Sequence, residues 1–200
     1  MHEDITGVIL AGGQSRRLGV NKALLKIGDQ TVIEIAVRLM RSVFSKNLLC
    51  VNDLPAFAFL QLPMVQDLYR QGGPLAGLHA ALHQITTSKA FLIPCDMPLL
   101  NKELIEFLLD SNSDKPIWIA RAAGRLQPLP GCYDKRLLPT IETLLHSAKR
   151  SGEYHFGSFH RLLDLVDAEI MDPTELDFYR EELFFNINNK EDYEKLHTES

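Results

Sequence analysis

Along roughly the first 110 residues, short apolar runs alternate with amphipathic stretches. The run over residues 5–11 ends in Gly12-Gly13, that over 47–51 ends in Asn52, that over 62–65 stops shortly before Asp67, and that over 90–95 ends in Asp96. Thr31 followed by Glu34 has the reciprocal spacing of a capping box and predicts a helix that runs to about Phe44. In it Val32, Ala36, Leu39 and Val43 recur at helical spacing beside Ile33, Val37, Met40 and Phe44, a broad face to lay on a sheet. Further helices are predicted near residues 75–84 and from Asn101, read as an N-cap, through Leu109. Strand and helix alternating in this way predict βαβ units and a mostly parallel sheet.

Past residue 110 the pattern predicts strands at 117–120 and 128–133, a helix over 136–149 and a helical stretch around 156–166. A short strand near Ile170, a strand at 183–187 and a last helix over 190–196 follow. No internal repeat, linker or low-complexity stretch interrupts the chain, so residues 1–200 read as one domain. In an open parallel sheet the C-terminal strand ends face one crevice, so Asn52, Asp67 and Asp96 are expected to converge on a single site.

Composition narrows the partners. Twenty-one Lys and Arg against 26 Asp and Glu give a net charge of -5, a field that repels nucleic acid and anionic membrane alike. A hydrophobic share of 46% and a charged share of 24% are those of a globular protein rather than a disordered one. Cys50, Cys95 and Cys132 lie too far apart for a zinc knuckle, and their odd number does not suit a secreted disulfide framework. The N-terminus is acidic and precedes no basic, apolar leader, and no apolar run is long enough to span a bilayer, so the expected compartment is the cytoplasm.

The segment over residues 10–22 carries the chemistry. It combines a strand end, three glycines and the cations Arg16, Arg17 and Lys22, the equipment for approaching and neutralising phosphate. No Gly-Lys-Ser/Thr follows, and no Gly-x-Gly-x-x-Gly occurs, which argues against a P-loop hydrolase and a nicotinamide dehydrogenase. Leu-Ala-Gly-Gly-x-Ser-x-Arg-Leu-Gly-x-Asn-Lys resembles the signature loop of nucleotidyltransferases that act on activated sugars and molybdopterin. With Gly-Pro-Leu-Ala-Gly at 73–77, Pro-Cys-Asp-Met-Pro at 94–98, Gln-Pro-Leu-Pro at 127–130 and Asn-Ile-Asn-Asn at 186–189, the chain is most similar to the molybdenum cofactor guanylyltransferases over nearly its whole length.

That resemblance implies a doubly wound, Rossmann-like α/β nucleotidyltransferase fold with helices on both faces of the sheet. It also implies a Mg²⁺-dependent transfer of GMP from GTP to the molybdenum-molybdopterin cofactor, with pyrophosphate leaving. On the same footing Leu10, Ala11, Gly12 and Gly13 hold guanine and phosphates through the backbone, and Arg17 and Lys22 face the phosphates. Asn52 and Asp67 contact the nucleotide, Asp96 holds the magnesium, and Asn186 and Asn188 line the reaction centre. Proteins that deliver the cofactor or receive the product are further implied partners, and His155 and His160 fall where the pterin is expected. Chemistry independently allows one aspartate for the metal, because Mg²⁺ takes one or two carboxylates together with phosphate oxygens and water.

Departures from the family pattern are Leu18 for methionine, Asn21 for aspartate and Asn189-Lys190 for Thr-Pro. The first conserves volume. The second removes a charge beside Lys22, and the third still caps a helix. Read singly, Asp67 also suits an Asx-turn, Asn52 and Asn188 also suit turns, and Arg16 suits a solvated neighbour of Arg17. His79 and His83, four apart on a predicted helix, read as surface or groove residues because the pair lacks the glutamate of a metalloprotease motif. The cysteines and Trp118 read as core. A cytidylyltransferase of the same cofactor, a sugar-1-phosphate nucleotidyltransferase and a non-catalytic nucleotide-binding adaptor are the competing functions.

Overall fold

The computed structural model describes residues 1–12, 21–69, 72–151 and 158–198. Strand β1 (His2–Leu10) comes first; a 3-10 turn (Lys22–Leu24) then leads into a hairpin of β2 (Lys26–Ile27) and β3 (Gln30–Thr31). Helix α1 (Val32–Val43), β4 (Phe44–Cys50), the single turn α2 (Leu54–Phe57), β5 (Met64–Val65), α3 (Gly73–Gln84) and β6 (Lys89–Pro94) complete the parallel half. Helix α4 (Lys102–Leu109), β7 (Ile117–Ala122), β8 (Arg125–Asp134), α5 (Leu138–Ser151), α6 (Phe159–Leu165), β9 (Ala168–Met171) and α7 (Lys190–Thr198) follow.

Seven strands form one mostly parallel sheet in the order β5-β4-β1-β6-β8-β7-β9, in which β8 alone pairs antiparallel with its neighbours. The chain grows outward from β1 through β4 to β5, then crosses back to lay β6 on the other side of β1. Sheet growth therefore reverses at the β1–β6 pair, the place where doubly wound folds open a crevice.

Alternation along the strands divides the core into two layers. Ile5 and Ile9 of β1 and Phe91 and Ile93 of β6 face a layer with Ile33 and Met40 of α1 and Leu104 and Leu108 of α4. Val8 and Leu92 face the other, with Leu75 and Leu82 of α3, Ile141 of α5 and Leu162 of α6. Helices thus cover both faces, as expected of the doubly wound α/β class. Trp118 is buried in the first layer, with the Lys89 ammonium 3.9 Å from its ring centre. No helix among the described residues is long and apolar enough to cross a membrane.

Local signals in the chain hold. Thr31 caps α1 through a full capping box: its hydroxyl accepts from the Glu34 amide, and its own amide donates to Glu34 Oε2 at 2.7 Å. Asn101 Oδ1 accepts from the Leu104 amide at 3.0 Å, and Asn189 Oδ1 from the Asp192 amide at 2.9 Å. One expectation is corrected. Residues 183–187 form no strand: a 3-10 turn (Glu181–Phe184) occupies the start, and beyond it the Ile187 amide donates to the Asp96 carbonyl at 3.0 Å. The apolar alternation there buries Leu183, inside that turn, and Ile187, past it, with no ladder partner among the described residues.

Candidate active site

Four strand ends meet at the crevice. The Ala11 amide donates to the Cys50 carbonyl at 2.9 Å and the Cys95 amide to the Leu10 carbonyl at 3.0 Å, so β1 stays clamped between its neighbours to its last residue. Gly12 is the first residue past that clamp. A Cβ there would lie 3.3 Å from Asn52 Nδ2 and 3.5 Å from Asp67 Oδ2, so glycine keeps the loop against the polar pair. Asn52 Nδ2 donates to Asp67 Oδ2 at 3.0 Å, and the Asp67 amide donates back to Asn52 Oδ1 at 3.3 Å.

These groups open onto one cavity of about 660 Å³, within the usual size of a small-molecule site. Leu10, Ala11, Gly12, Lys22, Asn52, Asp67 and Asp96, all expected from the sequence, line it. Gly13, Arg16, Arg17, Leu18 and His155 lie outside the described residues. Asn186 and Asn188 do not line the cavity: Asn186 Nδ2 donates to the Phe184 carbonyl at 3.0 Å, and the Asn188 amide to Asp192 Oδ2 at 2.8 Å. Their segment reaches the site through Ile187 and the Asp96 carbonyl instead. His160 is exposed on α6, away from the cavity.

Further wall residues come from α3. Gly73 and Pro74 start the helix and Gly77 lies one turn in, so its positive end faces the cavity. A Cβ on Gly77 would stand 2.9 Å from Leu10 Cδ2, a close approach that lets α3 seat against β1. Residue-by-residue reading missed this wall as site, although two glycines and a proline at a predicted helix start were the visible signal. Asn21 proves to be the cap of the turn that carries Lys22, with Oδ1 accepting from the Ala23 amide at 3.1 Å. Asparagine and aspartate cap equally well, so the missing charge leaves that turn formed.

Charge in the cavity is balanced against burial. Burial pushes the Asp96 carboxyl above its ordinary range, while the Lys22 ammonium pulls it back. Asp67 is likewise raised by burial and opposed by the Asn52 hydrogen bond. Burial pushes the Cys95 thiol up to about 12, with the Asp96 charge acting in the same direction, which disfavours the nucleophilic thiolate. The carboxylates of Asp67 and Asp96 stand beside a lysine and a helix N-terminus, a combination suited to a hard cation and phosphate.

Comparison with known proteins agrees with this geometry. Residues 7–161 match the model of the MobA-like NTP transferase domain. The chain belongs to the MobA-like NTP transferase family. A Carboxydothermus hydrogenoformans protein curated as a probable molybdenum cofactor guanylyltransferase is 35% identical over 97% of this chain and 95% of its own length. A Pelotomaculum thermopropionicum protein of the same description is 33% identical over 95% and 90%. Among solved structures, Aq1419 of Aquifex aeolicus VF5 superposes with a TM-score of 0.73 at 30% identity, covering 92% of this chain and 94% of that one. Molybdopterin-guanine dinucleotide biosynthesis protein A of Archaeoglobus fulgidus superposes at 0.77 and 20%, covering 96% and 97%, a likeness of fold. As a MobA-like protein the chain is a nucleotidyltransferase, and its cavity lies at the switch point of that fold.

Proposed function

We propose that this chain is a molybdenum cofactor guanylyltransferase: it transfers GMP from GTP to the molybdenum-molybdopterin cofactor. The observation that carries the reading is the meeting of the glycine-ended strand β1, Lys22, the Asn52–Asp67 pair and Asp96 on one cavity, in a chain whose full-length relatives bear that description. The terminal phosphate oxygen of molybdopterin attacks the α-phosphorus of GTP, the bond to the bridging oxygen breaks, and pyrophosphate departs with the electron pair. No protein nucleophile is needed, and the protonated state of Cys95 agrees with that.

The chain's own residues have two tasks, screening and positioning. Lys22 neutralises phosphate charge that would otherwise repel the incoming phosphate. Leu10, Ala11 and Gly12, with Gly13 and Arg17 beyond them, hold base and phosphates, and Asn52 and Asp67 hold the nucleoside. The oxygen donors fit Mg²⁺, which Asp96 would hold, and the ion would supply further neutralisation of the phosphates. Asn186 and Asn188 are not contacts in this reading; Ile187 between them anchors the Asp96 loop through its backbone amide.

Thermal unfolding with GTP, CTP, ATP and UTP, each with and without Mg²⁺, tests the reading. GTP with Mg²⁺ at about one hundred times its Kd should raise Tm by roughly 5 to 10 °C, above the other nucleotides, and pyrophosphate release should then require the cofactor. A CTP-selective shift would replace guanylyl with cytidylyl transfer, and no shift with any nucleotide would remove the nucleotide site.

A further inference from the structure

A second cluster of ligand-type side chains lies on the flank of α3 that faces α5. His79 and His83 are one turn apart on α3, Glu142 and His146 one turn apart on α5, and all four line a groove of about 820 Å³ beside Tyr69. Glu142 Oε1 is 3.1 Å from His83 Nε2 and 3.6 Å from His79 Nε2. One ligand atom from each of these three side chains falls within 4.8 Å of the others. Ligand atoms around a tetrahedral ion with bonds of ~2.0–2.2 Å stand about 3.3–3.6 Å apart, and both distances from Glu142 Oε1 lie close to that spacing.

The second, independent sign is His79 itself. It is 2% exposed, and neither of its ring nitrogens has a hydrogen-bond partner among the described residues. Buried polar atoms are nearly always satisfied, so two orphaned nitrogens on one buried ring require a reason. The His83–Glu142 hydrogen bond accounts for those two side chains and leaves His79 Nε2 at 3.6 Å from the same carboxylate oxygen, beyond hydrogen-bond reach. An ion shared by all three would engage His79 Nε2. His146 is engaged differently, its Nε2 3.0 Å from the Tyr69 hydroxyl, so it stands beside the shell rather than in it.

We propose that His79, His83 and Glu142 bind one divalent transition-metal ion of the zinc class, tying α3 to α5, with the fourth coordination position open to the groove. Two imidazoles and a carboxylate favour Zn²⁺, Co²⁺ or Ni²⁺ over Mg²⁺, the reverse of the carboxylates at the strand ends. Gly73, Pro74 and Gly77 of the same helix line that cavity, so an ion here fixes a wall of the nucleotide site without touching its contents.

Cobalt gives a readout independent of catalysis. The full chain, stripped of metal with EDTA and titrated with Co²⁺, should develop the visible absorption of a four- or five-coordinate site, saturating at one equivalent. Zn²⁺ should displace it and millimolar Mg²⁺ should not. His83→Ala and Glu142→Gln, both at partly exposed positions, should retain the parent circular dichroism and lose the band, whereas Asp96→Asn should keep it. Zn²⁺ at about one hundred times its Kd should raise the parent Tm by roughly 5 to 10 °C and leave His83→Ala unshifted. Absence of the one-equivalent band in the parent, its persistence in both variants, or its loss in Asp96→Asn overturns the proposal.

Discussion

Asp96 lines the cavity from a buried position, where its charge is costly to the fold. Burial raises its pKa, with Lys22 opposing. A carboxyl raised in the folded state costs stability above its folded pKa, and that cost is relieved as pH falls through the folded value toward the unfolded one. Asp96→Asn is therefore expected to keep or raise Tm at neutral pH while transfer falls about 10²- to 10³-fold, the scale of losing one preorganised electrostatic group. Pyrophosphate release and thermal unfolding on the same preparation check both halves, and unimpaired transfer would remove Asp96 from the site. In the metal-free protein the Tm advantage of Asp96→Asn over the parent should therefore shrink as pH falls through the raised carboxyl value. Lys22→Ala removes a charge-assisted contact of about 1.5–3 kcal/mol and should raise the Kd for GTP some ~10- to 100-fold, as calorimetry would record. A Kd equal to the parent's would place the lysine off the phosphates.

Elements differ in how much of them is local. The capping box of α1 was legible because Thr31 and Glu34 settle it between themselves, and the same holds for Asn101 on α4. Thr31→Ala should cost about 1 kcal/mol and lower Tm by roughly 2–4 °C in a calorimetric scan, with transfer unchanged when measured well below Tm. The β2–β3 hairpin and α2 were not legible, since strands of two residues and a helix of four carry no period. Residues 183–187 misled for the opposite reason: their alternation is real, but Leu183 packs in the core of the first layer and Ile187 against α1 and α7, with no strand alongside. On α3, Gly77→Ala would press a methyl onto the end of the Leu10 side chain, which lines the cavity. Overpacking at such a contact costs about 1–3 kcal/mol, and the variant should lose nucleotide affinity as well as Tm. Parent-like GTP binding in that variant would mean that the wall is compliant.

Across the whole molecule, the site was readable where strands end in polar residues and unreadable where distant chain segments close on it. Asn52, Asp67 and Asp96 lie 15 and 29 residues apart in sequence, yet the parallel sheet alone brings them together. The return of the C-terminal segment has no such local mark. Ile187 is fully buried, packs with Val32 of α1 and Leu196 of α7, and donates its amide to the Asp96 carbonyl. Helix α7 in turn reaches the hairpin after Lys22, with the Tyr193 hydroxyl donating to the Lys26 carbonyl at 2.5 Å. One apolar side chain thus braces both the loop that holds Asp96 and the segment that follows Lys22. Ile187→Ala should cost about 2–5 kcal/mol by cavity formation and lower Tm by roughly 5–15 °C. Because the brace acts on position rather than on charge, transfer measured well below the lowered Tm should fall mainly in kcat, with GTP affinity less affected, and Ile187→Val should restore most of both rate and stability. Equal losses in kcat and GTP affinity, unrepaired by valine, would show that the C-terminal segment contributes contacts of its own to the nucleotide.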